Sequence, residues 1–177
     1  MRFIISLSLI ATLFSAPSWA ADKQEIDAYV EEALSEFYQH SPAGKKLAQR
    51  AKGILVFPRV YKAGFGIGGE YGEGKLIAGG ATKGYYSVSA ASVGFQLGVQ
   101  RKSQILLFMT SEALNNFLSS EGWDAGVDGS VAIASLGAGG EIDTKTANQP
   151  VIAFIFSNKG LMYNLTLEGS KITQIVR

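Results

Sequence analysis

Gly64-Phe65-Gly66-Ile67-Gly68-Gly69-Glu70-Tyr71 is the stretch that decides the fold. Glycine alternates with a large apolar residue, so a strand here presents Phe65, Ile67 and Tyr71 on one face and nearly bare backbone on the other. The bare face lets a helix, a neighbouring strand or a ligand approach closely. Gly94-Phe95-Gln96-Leu97-Gly98 repeats the pattern, and Phe65, Ile67, Phe95, Leu97 and Val99 are expected in the core. Two copies are too few for a repeat architecture, so they read as two strands solving one packing problem. Gly64, Gly66 and Gly69 also match the letters of a dinucleotide fingerprint. That loop must open a helix and meet an acid about twenty residues on, whereas these glycines sit inside a strand near Glu70 and Glu73 alone.

Working outward, period-two and short apolar runs bounded by Gly, Asn and Asp continue from Ile54 to the end. They predict strands at Ile54–Phe57, Gly64–Tyr71, Lys75–Ala78, Tyr85–Val88, Val93–Gln100, Gln104–Met109, Val127–Ala134, Gly139–Asp143, Val151–Phe156, Leu161–Leu167 and Ile172–Val176. One helix, Glu112–Leu118, interrupts them, capped by Thr110 or Ser111. Upstream the period becomes helical. Ile26, Tyr29, Val30, Ala33, Leu34, Phe37 and Tyr38 line one face of a helix over Lys23–Gln39. Ser41-Pro42 starts a second helix, over Pro42–Lys52, with Gly53 expected to close it in the left-handed conformation. The class is α+β: N-terminal amphipathic helices, then a glycine-rich, mainly antiparallel sandwich or barrel with one inserted helix.

The chain start reads as an export signal. Arg2 is followed by the uncharged apolar run Phe3–Phe14, and Ser18-Trp19-Ala20 supplies small residues at the positions a signal peptidase reads. Cleavage is expected after Ala20, leaving 21–177 as a single domain in the periplasm or secreted. Twelve apolar residues would span only about 18 Å of a hydrocarbon layer of roughly 30 Å, too little for an anchor. An outer-membrane barrel is the rival, but Ile105–Met109 and Val151–Phe156 are apolar on both faces, the mark of strands buried twice.

Charge is segregated along the chain. Asp22–Tyr38 holds Asp22, Glu25, Asp27, Glu31, Glu32 and Glu36 against Lys23 alone, while residues 39–69 hold Lys45, Lys46, Arg50, Lys52, Arg59 and Lys62 with no carboxylate. Loss of Arg2 would leave fifteen basic against fifteen acidic residues, so the broad basic footprint of a nucleic-acid binder is missing. The chemistry of catalysis is equally thin. His40 is the lone histidine, expected in a solvated turn, and cysteine is absent, which removes Ser–His, Cys–His and most zinc arrangements. Asp124 with Asp128, and Glu141 with Asp143, pair in sequence, but Asp beside Gly122, Gly126 and Gly129 is first a turn former. No catalytic residue, metal ligand or cofactor is assigned, and Trp123 fits a core or an exposed anchor equally.

Several runs together resemble the SYLF domain. They are Ala51-Lys52-Gly53-Ile54, Lys62-Ala63-Gly64-Phe65-Gly66-Ile67-Gly68-Gly69 with Tyr71-Gly72, and Gly94–Gln100. The likeness continues through Phe108-Met109, Ala125–Ala132, Ser157–Leu161 and Leu167-Glu168-Gly169, spanning about Lys45 to Lys171. Eukaryotic members of that family bind phosphoinositides and yeast members also bind actin. The resemblance implies a lipid-binding module whose membrane contact lies near the N-terminal helices and the basic residues after them. An exported chain would not meet cytoplasmic actin or phosphoinositides, so an anionic envelope lipid is the expected partner. Lys45, Lys46 and Arg50, joined by Lys52, Arg59 and Lys62, are the expected lipid-binding residues, assisted by apolar residues of the first helix. The alternative is a protein partner on the glycine-flattened face near Gln96 and Gln100.

Overall fold

Ile26, Val30, Ala33 and Phe37 do fall on one stripe, and all four are buried beneath helix α1, Lys23–His40. The computed structural model describes residues 22–134, 142–157, 160–161, 167 and 169–177, with side chains described except at 64–67, 92–99, 157 and 160–161. The export signal, most of the expected strands Gly139–Asp143 and Leu161–Leu167, and the side chains of Phe65, Ile67, Phe95, Leu97 and Val99 lie outside the described residues. Helix α2, Pro42–Arg50, starts where Ser41 Oγ accepts from the Gly44 amide at 3.0 Å. It ends two residues earlier than expected. Ala51 is already extended and Gly53 opens the first strand without a positive φ, so the left-handed cap predicted there does not form.

The six strands expected between Ile54 and Met109 are two. β1, Gly53–Ala78, and β2, Ala81–Phe108, form one long antiparallel hairpin, in register from Gly53 opposite Phe108 to Ala78 opposite Ala81. Gly79 and Gly80 turn it with φ of 61° and 75°, the pair of positive angles that matches a two-residue hairpin to strand twist. Register breaks at Phe57/Val60 and Gly64/Gly66 bend the ladder. Pro58 sits in the first break, where its missing N–H costs no ladder bond.

The bend folds the hairpin over itself. Leu55, Phe57, Val60, Leu106 and Phe108 of the proximal half share a core with Leu76, Tyr86 and Val88 of the distal half. Gly74 lies against the Val56 carbonyl, where a β-carbon would collide with backbone, so the glycine is what lets β1 cross its own first half. Helix α3, Ser111–Ser119, closes this core with Phe117 and is capped by Thr110, whose Oγ1 accepts from the Ala113 amide at 3.1 Å. Trp123 is core, 2% exposed.

The short strands β3, Trp123–Asp124, and β4, Val131–Ile133, follow, then the helical turn α4, Thr144–Ala147. β5, Val151–Ser157, β6, Gly160–Leu161, and β7, Lys171–Ile175, complete the described elements. β5 pairs with the proximal part of β2, β7 with its distal part, β3 with β7, and β4 runs parallel to β5. Sandwich-or-barrel layering is therefore met by one mainly antiparallel sheet curled as a half-barrel. Ile105–Phe108 and Val151–Phe156 are buried on both faces, as their unbroken apolar runs predict. The second face of the proximal sheet, carrying Val56, Ile105, Leu107, Ile152, Phe154 and Phe156, packs on α1 and α2.

Candidate functional site

Helix α2 lies on its apolar side. Gly44, Leu47 and Ala48 are buried, and Gly44 is close enough to the Phe37 ring that a β-carbon would clash. The opposite side carries Lys45, Lys46 and Arg50, all exposed, with exposed Lys52 just beyond the helix end. Among the described residues none of these four forms an ion pair, and Lys45 Nζ rests 5.8 Å from the centre of the Tyr38 ring. Lys46 and Arg50 are one helical turn apart and share a face.

The other two basic residues do not join them. The Arg59 guanidinium stacks 3.2 Å from the centre of the Tyr29 ring and 4.0 Å from Glu32, so it fastens α1 to the β1 bulge. Lys62 Nζ lies 3.4 Å from Glu70, whose other oxygen takes Lys102 Nζ at 2.7 Å. Strand alternation and the bulge turn Lys62 toward the fold. The apolar residues of α1, expected to assist membrane contact, are on the sheet instead: Ile26, Val30, Ala33 and Phe37 are each at most 3% exposed.

A second fastening went unforeseen. Asp27 on α1 takes Lys75 Nζ at 2.8 Å and the Tyr85 hydroxyl at 2.9 Å, tying the helix to the distal hairpin. Burial opposes the Asp27 charge, but the hydrogen bonds and the Lys75 charge outweigh it and hold the carboxyl below its usual value. Burial, then the Asp27 hydrogen bond, pushes the Tyr85 phenol up to about 12. The clue in the sequence was Lys75 opening a strand otherwise apolar, Leu76-Ile77-Ala78.

The paired carboxylates serve turns. Asp128 Oδ2 accepts from the Asp124 amide at 2.7 Å around Gly126, whose φ is 89°. Asp143 caps α4 by accepting from the Thr146 amide at 2.9 Å, and that bond holds its carboxyl below its usual value. Glu141 lies outside the described residues. His40 is not in a turn but ends α1, exposed, its Nδ1 2.8 Å from the Glu36 carbonyl.

Among the described residues two clefts open to solvent. One of about 60 Å³ between α1 and the Pro58 bulge mixes Glu32 and Glu36 with Arg59 and Arg101. One of about 220 Å³ beside α3 holds Glu112 and Asp128 and no base. Among the described residues no three His, Asp or Glu side chains converge to hold a metal ion, and no helix is long and apolar enough to cross a membrane.

Residues 89–175 match the family model Ysc84, described as Las17-binding protein actin regulator. The chain is SYLF-like across that span. The match takes in β2 from Ser89 to its end at Phe108, including all of its proximal part, and the described elements after it through β7. The SYLF match omits α1, α2 and β1, so the cationic face of α2 rests on its own geometry. No curated protein matches the chain.

Proposed function

We propose that this chain is an exported, non-catalytic module that binds anionic lipid surfaces of the cell envelope through Lys45, Lys46, Arg50 and Lys52. One observation carries it: the only stretch where four consecutive basic residues of the sequence stay exposed without an ion pair among the described residues is the outer side and end of α2. The SYLF family's association with lipid and actin-related binding favours a membrane or protein partner in general terms. Arg59 and Lys62 drop out of the site because Arg59 is held between Tyr29 and Glu32 and Lys62 is turned inward onto Glu70.

No large apolar side chain is exposed on α2, so attachment is electrostatic rather than insertion. Each cation near an anionic surface contributes about 1 kcal/mol, and the attraction fades over about 8 Å at physiological salt. Liposome co-sedimentation at low and physiological salt tests the reading. Wild type should bind phosphatidylglycerol vesicles and release at higher salt, while Lys45→Glu/Lys46→Glu/Arg50→Glu should lose at least about 100-fold in partitioning with an unchanged melting temperature. Equal binding to neutral vesicles, or full binding by the triple variant, refutes the electrostatic mechanism. Absence of binding to any vesicle favours the protein-partner alternative.

A further inference from the structure

Gln104 breaks the rule that buried polar groups find partners. Its side chain is fully buried, and among the described residues neither Oε1 nor Nε2 makes a hydrogen bond. It belongs to a polar layer. Gln104 stands opposite Phe57 and Ile155, and Lys102 opposite Val60, all three partners being residues of the core enclosed by the folded hairpin. Gln104 and Lys102, two apart on β2, therefore face the same interior. Lys102, Glu70 and Lys62 form a chain of ion pairs there, their side chains 6%, 11% and 21% exposed. Glu70 comes from the distal half of β1 and the two lysines from the proximal half of the hairpin, so the cluster sits inside the fold near its bend.

The donors outnumber the acceptors. Each ammonium carries three N–H groups and a glutamine amide two more, while Glu70 is the only carboxylate the described residues place there. One positive charge is left over in a largely buried place, beside an amide with nothing to bond. A bound oxyanion answers the surplus charge and the unbonded Nε2: its oxygens accept from Lys102, Lys62 and Gln104 Nε2, its charge balances the second lysine, and Oε1 is left to accept from an ammonium. A water molecule would satisfy the amide and leave the charge.

We infer that Lys62, Lys102 and Gln104 form a binding site for a small oxyanion, a phosphate or phosphate ester, inside the bend of the hairpin. The site is separate from the α2 surface. Phe108 pairs with Gly53 at the end of α2 and Lys102 with Val60, six residues away on β2, or about 20 Å along the strand. The entrance is the Lys62 side, the most exposed of the three.

The full chain is melted in sodium phosphate and in sodium chloride of matched ionic strength, and phosphate is titrated by calorimetry. At phosphate ten times its dissociation constant the melting temperature should rise by about 3–6 °C over chloride. Gln104→Leu, close in shape, should melt higher than wild type in chloride and bind phosphate at least tenfold more weakly. Lys62→Met, at the more exposed end, repeats the binding test should the Leu variant fail to fold. The α2 triple variant should keep the full phosphate response, whatever it does on vesicles. No phosphate-specific rise in wild type, or an undiminished one in Gln104→Leu and Lys62→Met, overturns the site. With the site upheld, phosphatidylglycerol vesicles identify the source: weaker sedimentation of Gln104→Leu than of wild type points to a lipid headgroup, and equal sedimentation to a soluble phosphate.

Discussion

Residues 39–69 carry six basic side chains and no carboxylate, yet the fold divides them into two groups with opposite fates. Lys45, Lys46, Arg50 and Lys52 stay in water without an ion pair among the described residues, Lys45 passing over the edge of the fold at Tyr38. Arg59 and Lys62, equally basic and only a few residues on, are pinned by Tyr29, Glu32 and Glu70. The difference lies in the element beneath them. A helix lying on Leu47 and Ala48 must present its remaining face outward, whereas a bulged strand that is folded over turns alternate residues inward. Charge density along a sequence thus predicts a charged surface only where the secondary structure has a single buried face.

The largest effect should come from breaking the inward group. Glu70→Gln leaves Lys102 and Lys62 without their shared carboxylate, and a buried charge stripped of its partner costs about 3 kcal/mol or more. For a chain of this size that is a fall of about 6–12 °C in melting temperature, with vesicle binding of the still-folded protein unchanged. An unchanged melting temperature would show that the two lysines need no carboxylate.

A sharper and smaller contrast uses one neutralisation from each group. Lys46→Gln should reduce vesicle partitioning about fivefold, the worth of about 1 kcal/mol, and leave stability alone. Arg59→Gln should do the reverse: lost stacking on Tyr29 and a weak bridge to Glu32 cost about 1 kcal/mol of stability, with partitioning held within twofold. Similar effects of both variants on vesicles would mean that the division drawn here does not govern binding.

Much of this was legible beforehand, and the failures have physical causes. Helix α1, the start of α2, the Thr110 cap and the doubly buried runs Ile105–Phe108 and Val151–Phe156 follow from periodicity and local chemistry. The hairpin's continuity did not, because glycine and polar letters inside β1 and β2 look like strand ends when they are bends, bulges and inward charges. Pairing across the fold is equally invisible. Nothing near Asp27 in sequence announces Lys75 or Tyr85, and nothing near Lys62 announces Lys102. The apolar stripe of α1 was read correctly as a stripe and wrongly as a membrane contact, since an apolar face seeks the largest apolar surface within reach, which here is the protein's own sheet.

The smallest effect tests how firmly α1 stays on that sheet, and so whether its apolar stripe stays out of play. The Asp27 carboxyl titrates below its ordinary value of 3.8, so its bonds to Lys75 and Tyr85 stabilise the fold fully above about pH 4 and are lost as pH falls through the depressed value. Tyr85 behaves oppositely. With its phenol raised from 10.0 to about 12, its share is present below pH 10 and is lost as pH rises toward 12. Stability followed by urea melts should therefore have an acid limb below pH 4 and an alkaline limb above pH 10, both involving the α1 fastening. Asp27→Asn should flatten its part of the acid limb and lower stability at neutral pH modestly, because Lys75 loses its counter-charge in a place only 9% exposed. The alkaline limb should survive in that variant, since burial is the first cause of the Tyr85 shift and does not depend on Asp27. If Asp27→Asn left the acid limb unchanged, α1 would be held by its apolar stripe alone, and the polar contacts that separate the inward charges from the outward ones would have no part in keeping the helix down.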